Sequence, residues 1–99
     1  MSAILIIDDE PGIRDVLSDV LSDEGHEVAA AEDGHAGLAH LAAHAVDLVF
    51  LDVWLPNLGG IDVLRRIRAE FPDVAVVMIS GHANIKLAVE AVKMGAFDF

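Results

Sequence analysis

Three carboxylates stand together after an apolar run near the start of the sequence. The stretch "ILIIDDEPG" at 4–12 contains Asp8, Asp9 and Glu10 with no lysine or arginine beside them. Adjacent like charges repel one another, and desolvating them next to a hydrophobic core adds to the cost. We therefore expect a positively charged group from outside the chain at these acids.

Two further residues that could do chemistry also end apolar runs. Asp52 closes "VDLVFLD", and Ser80 closes "VAVVMIS". Mg²⁺ prefers oxygen ligands, usually one or two carboxylates with waters and a phosphate oxygen. A lone carboxylate such as Asp52 can act as a nucleophile and form an acyl phosphate. These residues predict a Mg²⁺ site at Asp8 and Asp9, a phosphoryl acceptor at Asp52, and a Ser80 hydroxyl near a phosphoryl oxygen.

The elements that must position these residues alternate regularly along the chain. Continuous apolar runs predict strands at 3–7, 26–31, 46–52 and 74–80, with a further strand beginning at 96–99. Helical periodicity predicts helices at 12–24 and 34–44, one through Ile61, Leu64 and Ile67, and one through Ile85, Ala88, Val89 and Val92. This alternation is typical of an α/β fold with a parallel sheet and helices on both faces. Ligands bind at the carboxyl ends of such strands, so the four candidate residues should share one edge.

The first helix has clear end signals and an apolar stripe. Pro11 suits a first helical turn, and Gly25 is placed to end the helix. The residues expected to face the core follow the i, i+3, i+4 spacing, and they are Ile13, Val16, Leu17, Val20 and Leu21.

Composition and charge limit the classes of function. The chain has 99 residues, enough for one small domain, and a formal net charge of −11. Such acidity argues against direct binding to nucleic acid or to anionic membranes. There is no cysteine, which excludes disulfides and thiolate metal sites. The N-terminus lacks the features of a signal peptide and no segment is long enough to span a membrane, so we expect a cytoplasmic protein.

The sequence resembles the receiver domain of two-component response regulators over essentially its whole length. The matching stretches are "ILIIDDEPGIRDVLSDVLSDEGHEV", "DLVFLDVWLPNLGGIDVL", "VVMISGHA" and "AVKMGAFDF". The stretches "LDVWLP", "ISGHANI" and "GAFDF" are most similar to the NtrC/NtrX-like regulators of nitrogen metabolism. In those proteins the receiver precedes two further domains. The first is an ATPase domain that acts on sigma-54 polymerase, and the second binds DNA.

The resemblance implies a flavodoxin-like, doubly wound sheet of five parallel strands in the order 2-1-3-4-5. It also implies a role for each matching residue. Asp52 matches the phosphoacceptor, and Asp8 and Asp9 match the Mg²⁺-binding acids. Trp54 matches the residue whose backbone carbonyl completes the metal site. Ser80 matches the switch hydroxyl and Phe99 the switch aromatic. The phosphoryl donor would be a sensor histidine kinase, and an output domain outside this chain would control transcription.

One departure from the family lies at the end of the sequence. The family has a Lys-Pro pair three residues beyond the position of Phe99, and its lysine contacts the phosphoryl group. Lys86 and Lys93 match no motif position, so neither is a substitute. Residues 1–99 are therefore expected to be a receiver truncated before the lysine and the fifth helix. Because that helix shares a sheet face with the helix at 12–24, we expect this face to be left open, and a homodimer or element exchange to cover it.

Other interpretations of the same residues stay open. Asp9, Glu10 or Ser80 could act only as helix N-caps. His40 and His44 stand at i, i+4, a spacing that can bind zinc, although no third ligand is evident and a solvated helix face is favoured.

Two other functions also remain. A Mg²⁺-dependent phosphohydrolase of the haloacid-dehalogenase type uses an Asp nucleophile, but it needs D-x-D after its first strand and a cap for its substrate. A degenerate receiver would act through protein contacts alone. The intact acids argue against this reading, and the absent lysine argues for it.

Overall fold

A computed structural model describes residues 2–79, and these residues alternate between strands and helices. The strands are β1 (Ala3–Ile7), β2 (Glu27–Ala31), β3 (Leu48–Asp52) and β4 (Ala75–Ile79). The helices are α1 (Pro11–Asp23), α2 (Gly34–Ala43) and α3 (Gly60–Glu70). Every element predicted between residues 3 and 79 is therefore present, with bounds within about two residues of those expected. No helix in this part of the chain is long and apolar enough to cross a membrane.

The four strands form one parallel sheet in the order β2-β1-β3-β4. This confirms the predicted order as far as the described residues extend. The predicted helix through Ile85, the strand at 96–99, Ser80 and Phe99 lie outside them. The central strand β1 pairs with β2 on one side and β3 on the other. In that register Ile7 lies opposite both Ala31 and Leu51.

The sheet is buried on both faces, which explains the continuous aliphatic runs in its strands. On one face, Ile4, Ile6, Leu48 and Phe50 form a cluster with the buried side chains of α1. On the other face, strand residues form a second cluster with residues of α2 and α3; its members include Leu5, Ile7, Val49, Leu51, Leu41, Val63 and Ile67.

The apolar stripes of two helices differ from those predicted. In α1, Ile13, Leu17 and Leu21 are buried, whereas Val16 is 48% exposed because it lies beside this i, i+4 ridge rather than on it. Gly25 follows α1 with a φ of 90°, as expected of a residue that ends a helix.

In α3 the buried residues are Gly60, Val63 and Ile67. Ile61 belongs to the apolar stripe that predicted this helix, but it is 48% exposed and does not face the core. A Cβ atom at Gly60 would meet the Asp52 backbone carbonyl. This close approach sets the rotation of α3 and turns the next residue, Ile61, outward.

The expected opening on the α1 face is not found at the described strand positions. Leu48, Phe50, Val77 and Ile79 are each no more than 5% exposed, and they belong to the same cluster as the buried residues of α1. The expected exposure of apolar strand surface is therefore wrong for this part of the chain. The homodimer, which a single chain does not test, stays a prediction.

Candidate metal centre at the carboxyl edge of the sheet

Three acids from two adjacent strand ends meet at one edge of the sheet. Asp8 and Asp9 follow β1, Asp52 is the last residue of β3, and the two strands pair in parallel. The three side chains offer carboxylate oxygens that lie within 4.8 Å of one another. Asp8 is fully buried and Asp52 is 6% exposed, whereas Asp9 is exposed to solvent. The cluster is therefore accessible to solvent at Asp9 and buried at Asp8 and Asp52.

The Asp8 carboxylate is held by one oxygen and unsatisfied at the other. Oδ1 accepts a hydrogen bond from the Glu10 backbone N–H at 2.9 Å. Oδ2 is buried, and no residue in the range 2–79 donates to it. Such an oxygen is uncommon because burying an acceptor without a partner costs free energy. A cation bound between the acids would satisfy it, so these residues fit a hard divalent metal ion.

The Asp52 carboxylate is oriented by the loop that follows β3. Its Oδ1 accepts the backbone N–H of Trp54 at 3.0 Å. The intervening residue, Val53, donates its N–H to the Ile79 carbonyl at 2.9 Å, which ties the loop to the end of β4. The backbone that follows Asp52 is therefore held against β4, and the Asp52 carboxylate is held by the Trp54 N–H.

Burial and mutual repulsion favour the protonated forms of these acids. Burial is the main cause that raises the Asp8 pKa to about 6, and the charges of Asp52, Asp9 and Glu10 act in the same direction. The Glu10 N–H opposes them. The Asp52 pKa is also raised, mainly by burial. A hydrogen bond that protonated Asp52 donates to Asp9, and the negative charge of Asp9, act in the same direction, whereas the Trp54 N–H opposes them. A divalent cation would reverse this balance by favouring the carboxylates.

Two features of the β3–α3 loop were not predicted as part of the site. Asn57 adopts a left-handed φ of 61°, a conformation that Asn tolerates better than most residues, directly after Pro56. Gly60 packs against the backbone of Asp52 and Val53. The "PNLGG" stretch indicated a turn, but not that its last glycine contacts the acid-bearing strand end. The Trp54 side chain is 77% exposed, and its predicted role concerns only its carbonyl oxygen.

Arg14 is a charged residue at the site that was not predicted either. Its Nη1 donates to the backbone carbonyl of Asp8 at 2.7 Å. The signal available in the sequence was its position: an arginine in the opening turns of the helix that directly follows the acids.

The remaining predicted residues lie elsewhere. Ser80 and Phe99 are outside the described residues. The His40 and His44 rings are stacked, with centroids 4.3 Å apart. Within residues 2–79 the acidic cluster is the one group that brings three metal-ligand atoms close together, so no third zinc ligand is found for the histidines there.

Comparison with known proteins identifies the family over almost the whole chain. The family described as response regulator receiver domain matches residues 4–99. The nitrogen assimilation regulatory protein NtrX of Azorhizobium caulinodans is 49% identical over 98 residues, which cover 97% of this chain and 22% of that protein. The receiver domain of NtrX from Brucella abortus is 49% identical with a TM-score of 0.77, covering 97% of this chain and 82% of that one.

A more distant structure is that of the histidine kinase ThkA in complex with the response regulator TrrA, a protein of Thermotoga maritima. The match to this structure is 29% identical, with a TM-score of 0.83, and it covers 95% of this chain and 97% of the matched chain. The chain spans about a fifth of the length of the curated NtrX relatives it matches. With its parallel sheet, its acidic edge and this family match, the chain belongs to the receiver domains of response regulators.

Proposed function

We propose that this domain takes a phosphoryl group from a sensor histidine kinase onto Asp52 in the cytoplasm. Asp8, Asp9 and Asp52, with the backbone carbonyl of Trp54, hold the Mg²⁺ ion that the transfer needs. The modification then controls an NtrX-like transcription regulator through an output domain outside this chain. The observation that carries the proposal is the buried, unsatisfied Asp8 Oδ2 beside two further carboxylates within 4.8 Å.

The transfer requires one bond to form and one to break. An Asp52 carboxylate oxygen attacks phosphorus, the phosphorus–nitrogen bond of the donor phosphohistidine breaks, and the imidazole leaves with the bonding electron pair. Bound Mg²⁺ would supply charge neutralisation at the phosphoryl oxygens. The Trp54 N–H orients the Asp52 carboxylate. Burial of Asp8 and Asp52 limits the access of water to the cluster from the protein interior. Ser80 and Phe99 are proposed to respond to the new phosphoryl group.

A signalling role fits these residues better than steady turnover. The haloacid-dehalogenase reading needs D-x-D after the first strand, whereas Asp8 and Asp9 are adjacent and the lone acid ends β3. Steady hydrolysis of p-nitrophenyl phosphate would favour that alternative.

Intact-mass analysis after treatment with acetyl phosphate and Mg²⁺ tests the acceptor. We expect the mass of one phosphoryl group, removable by hydroxylamine because an acyl phosphate is labile to it. Asp52→Asn should abolish the modification, since the amide is not a comparable nucleophile. Asp19→Asn, which changes an exposed acid on α1, is the matched control and should behave as the parent. Equal modification of Asp52→Asn at another residue would contradict the assignment.

Fluorescence of Trp54, the only tryptophan, tests the metal site. Because Trp54 lies two residues from Asp52 and donates to it, Mg²⁺ should produce a saturable change in emission. Asp9→Asn removes one anionic ligand and should eliminate that change, whereas Asp19→Asn should preserve it. An Asp9→Asn chain that titrates like the parent would show that the metal binds elsewhere.

A further inference from the structure

Arg14 differs in its surroundings from the other arginines of the described residues. Arg65, Arg66 and Arg68 lie together on α3 and are exposed. Arg65 and Arg66 form ion pairs with Asp62 and Glu70, and Arg68 donates to the Val74 carbonyl at 3.3 Å, far from the acid cluster. Arg14 lies on α1 and is partly buried, and its guanidinium donates to the Asp8 backbone carbonyl at 2.7 Å. A donor that carries a charge makes this a short, strong hydrogen bond.

The place of Arg14 in α1 is unfavourable for the helix itself. It is the fourth residue of α1, close to the end where the helix dipole is positive and where cations are destabilising. The N-cap residue, Glu10, makes no side-chain hydrogen bond that caps the helix, and the first turn itself contains no acidic residue. The helix dipole therefore does not favour an arginine here, whereas the hydrogen bond to the Asp8 carbonyl gives the side chain a specific contact.

The Asp8 residue is fixed by hydrogen bonds at three atoms. Its N–H donates to the Ala31 carbonyl at 3.1 Å, its carbonyl accepts from Arg14, and its Oδ1 accepts from the Glu10 N–H. The first two fix the peptide groups on either side of the Cα atom, and the third fixes the side chain. Together they leave Oδ2 buried without a donor from residues 2–79, beside Asp9 and Asp52.

We infer that Arg14 is a positioning residue for the metal site: by holding the Asp8 carbonyl, it presents Asp8 Oδ2 to the bound cation. This inference rests on the proposed function, because it needs a divalent metal ion at the acid cluster. Among residues 2–79, it adds a basic residue from α1 to the acids and backbone groups of the site. Arg14 does not contact the metal, so its effect acts through the geometry of Asp8.

The sign of the change in Mg²⁺ affinity separates positioning from two other roles. If Arg14 acted only as a nearby positive charge, it would repel Mg²⁺, and its removal would tighten binding. If it only stabilised the fold, its removal would lower the unfolding temperature and leave the affinity of the folded chain unchanged. If it positions Asp8, its removal should weaken Mg²⁺ binding by about tenfold, as loss of a partner to a metal ligand commonly does.

The experiment titrates Mg²⁺ into the 99-residue chain and follows Trp54 emission, at a temperature where each variant is folded. Arg14→Met keeps a long apolar stem and removes the donor and charge. Its dissociation constant should rise about tenfold. Arg14→Lys keeps the charge and can donate through its ammonium group, so it should recover part of the affinity. Arg66→Met, which breaks an exposed pair with Glu70 on α3, is the matched control and should bind like the parent.

Two results would overturn the inference. In the first, Arg14→Met binds Mg²⁺ as tightly as the parent or more tightly, while Asp9→Asn still shows no Mg²⁺-dependent change in emission. This result would reject positioning by Arg14 and leave the proposed function intact. A parent chain without a saturable Mg²⁺ signal would reject both. If Arg14→Met does not fold, Arg14→Gln gives the same comparison, because it also lacks the charge and is too short to keep the 2.7 Å contact.

Discussion

Asp8 and Asp52 are expected to lower the free energy of unfolding of the domain when no metal ion is bound. Asp8 is buried with one oxygen unsatisfied, and Asp52 is buried with its pKa raised, both beside Asp9. Ionising these groups in the folded chain costs free energy that the unfolded chain does not incur. A bound cation would remove most of this cost, so metal binding and folding stability should be coupled.

The sign of the pH dependence follows from Asp8. Its pKa is about 6 in the folded chain against a usual value of 3.8, so the folded state holds the proton more tightly between these pH values. The stability associated with this proton is fully present below about pH 4 and is lost as pH rises through about 6. In metal-free buffer, Asp8→Asn should therefore raise the free energy of unfolding at pH 7.5 by on the order of 2 kcal/mol, with little gain at pH 4.

Urea unfolding in the presence of a chelator, at pH 4 and pH 7.5, measures this difference. Asp19→Asn should show no comparable change between the two pH values. Adding Mg²⁺ at pH 7.5 should reverse the order by stabilising the parent and not the variant. Equal destabilisation of Asp8→Asn at both pH values would show that the carboxylate is structurally required rather than costly.

Sequence reasoning identified the acids at the site but not the residues that orient them. Asp8, Asp9 and Asp52 could be found because unpaired carboxylates at the ends of apolar runs are unusual. Arg14 and Asn57 act through backbone groups, by a bond to a carbonyl and by a left-handed φ. The role of Asn57 leaves no pattern of charge or hydropathy in the sequence, and that of Arg14 leaves only its position in the helix after the acids.

At the scale of elements, the contact between α3 and the end of β3 limits the residue allowed at position 60. A Cβ atom there would meet the Asp52 carbonyl oxygen, and it would lie 2.8 Å from both the Cα and the carbonyl oxygen of Val53. These are backbone atoms, which cannot rotate away as a flexible side chain could. The start of α3 is therefore in direct steric contact with the residue that carries the proposed acceptor.

Gly60→Ala should displace α3 from the end of β3. We expect a loss of about 1–3 kcal/mol in the free energy of unfolding, as overpacking usually costs. Weaker Mg²⁺ binding should follow, because Asp52 moves with its backbone. Urea unfolding and the Trp54 titration measure the two effects.

Gly12→Ala is the matched control, since a Cβ atom at Gly12 meets nothing within 4 Å. Because Gly12 lies within α1, this change should stabilise the chain by about 0.5–1 kcal/mol. A Gly60→Ala chain as stable as the parent would show that α3 can shift without cost.

The elements themselves could be predicted, but the rotation of α3 could not. Continuous apolar strands, Pro11 and Gly25 fixed the element bounds through local chemistry. The exposure of Ile61 depends instead on the close approach of Gly60 to β3. That approach is a tertiary contact. Helical periodicity specifies which residues share an apolar stripe, but it does not specify the rotation of the helix against the sheet.

For the molecule as a whole, the layers followed from β-α alternation, while the strand order required the family resemblance. Alternation predicts parallel strands and helices on both faces, and the two core clusters show this arrangement. It does not specify which strand is central. The expectation that the α1 face would be left open also failed at the described strands, because Val77 and Ile79 are buried within the α1 cluster.

The central position of β1 has a consequence for how the domain folds. The strand pairings join residues roughly 25 to 45 positions apart in the chain, with no hairpin among β1 to β4. The pairing that joins Asp8 to Asp52 is the most distant of the three, between β1 and β3. Loop-closure entropy must therefore be overcome before the acids meet, so Mg²⁺ has no complete site on the unfolded chain. We expect the ion to bind after β1 and β3 have paired and to act by slowing unfolding rather than by starting folding.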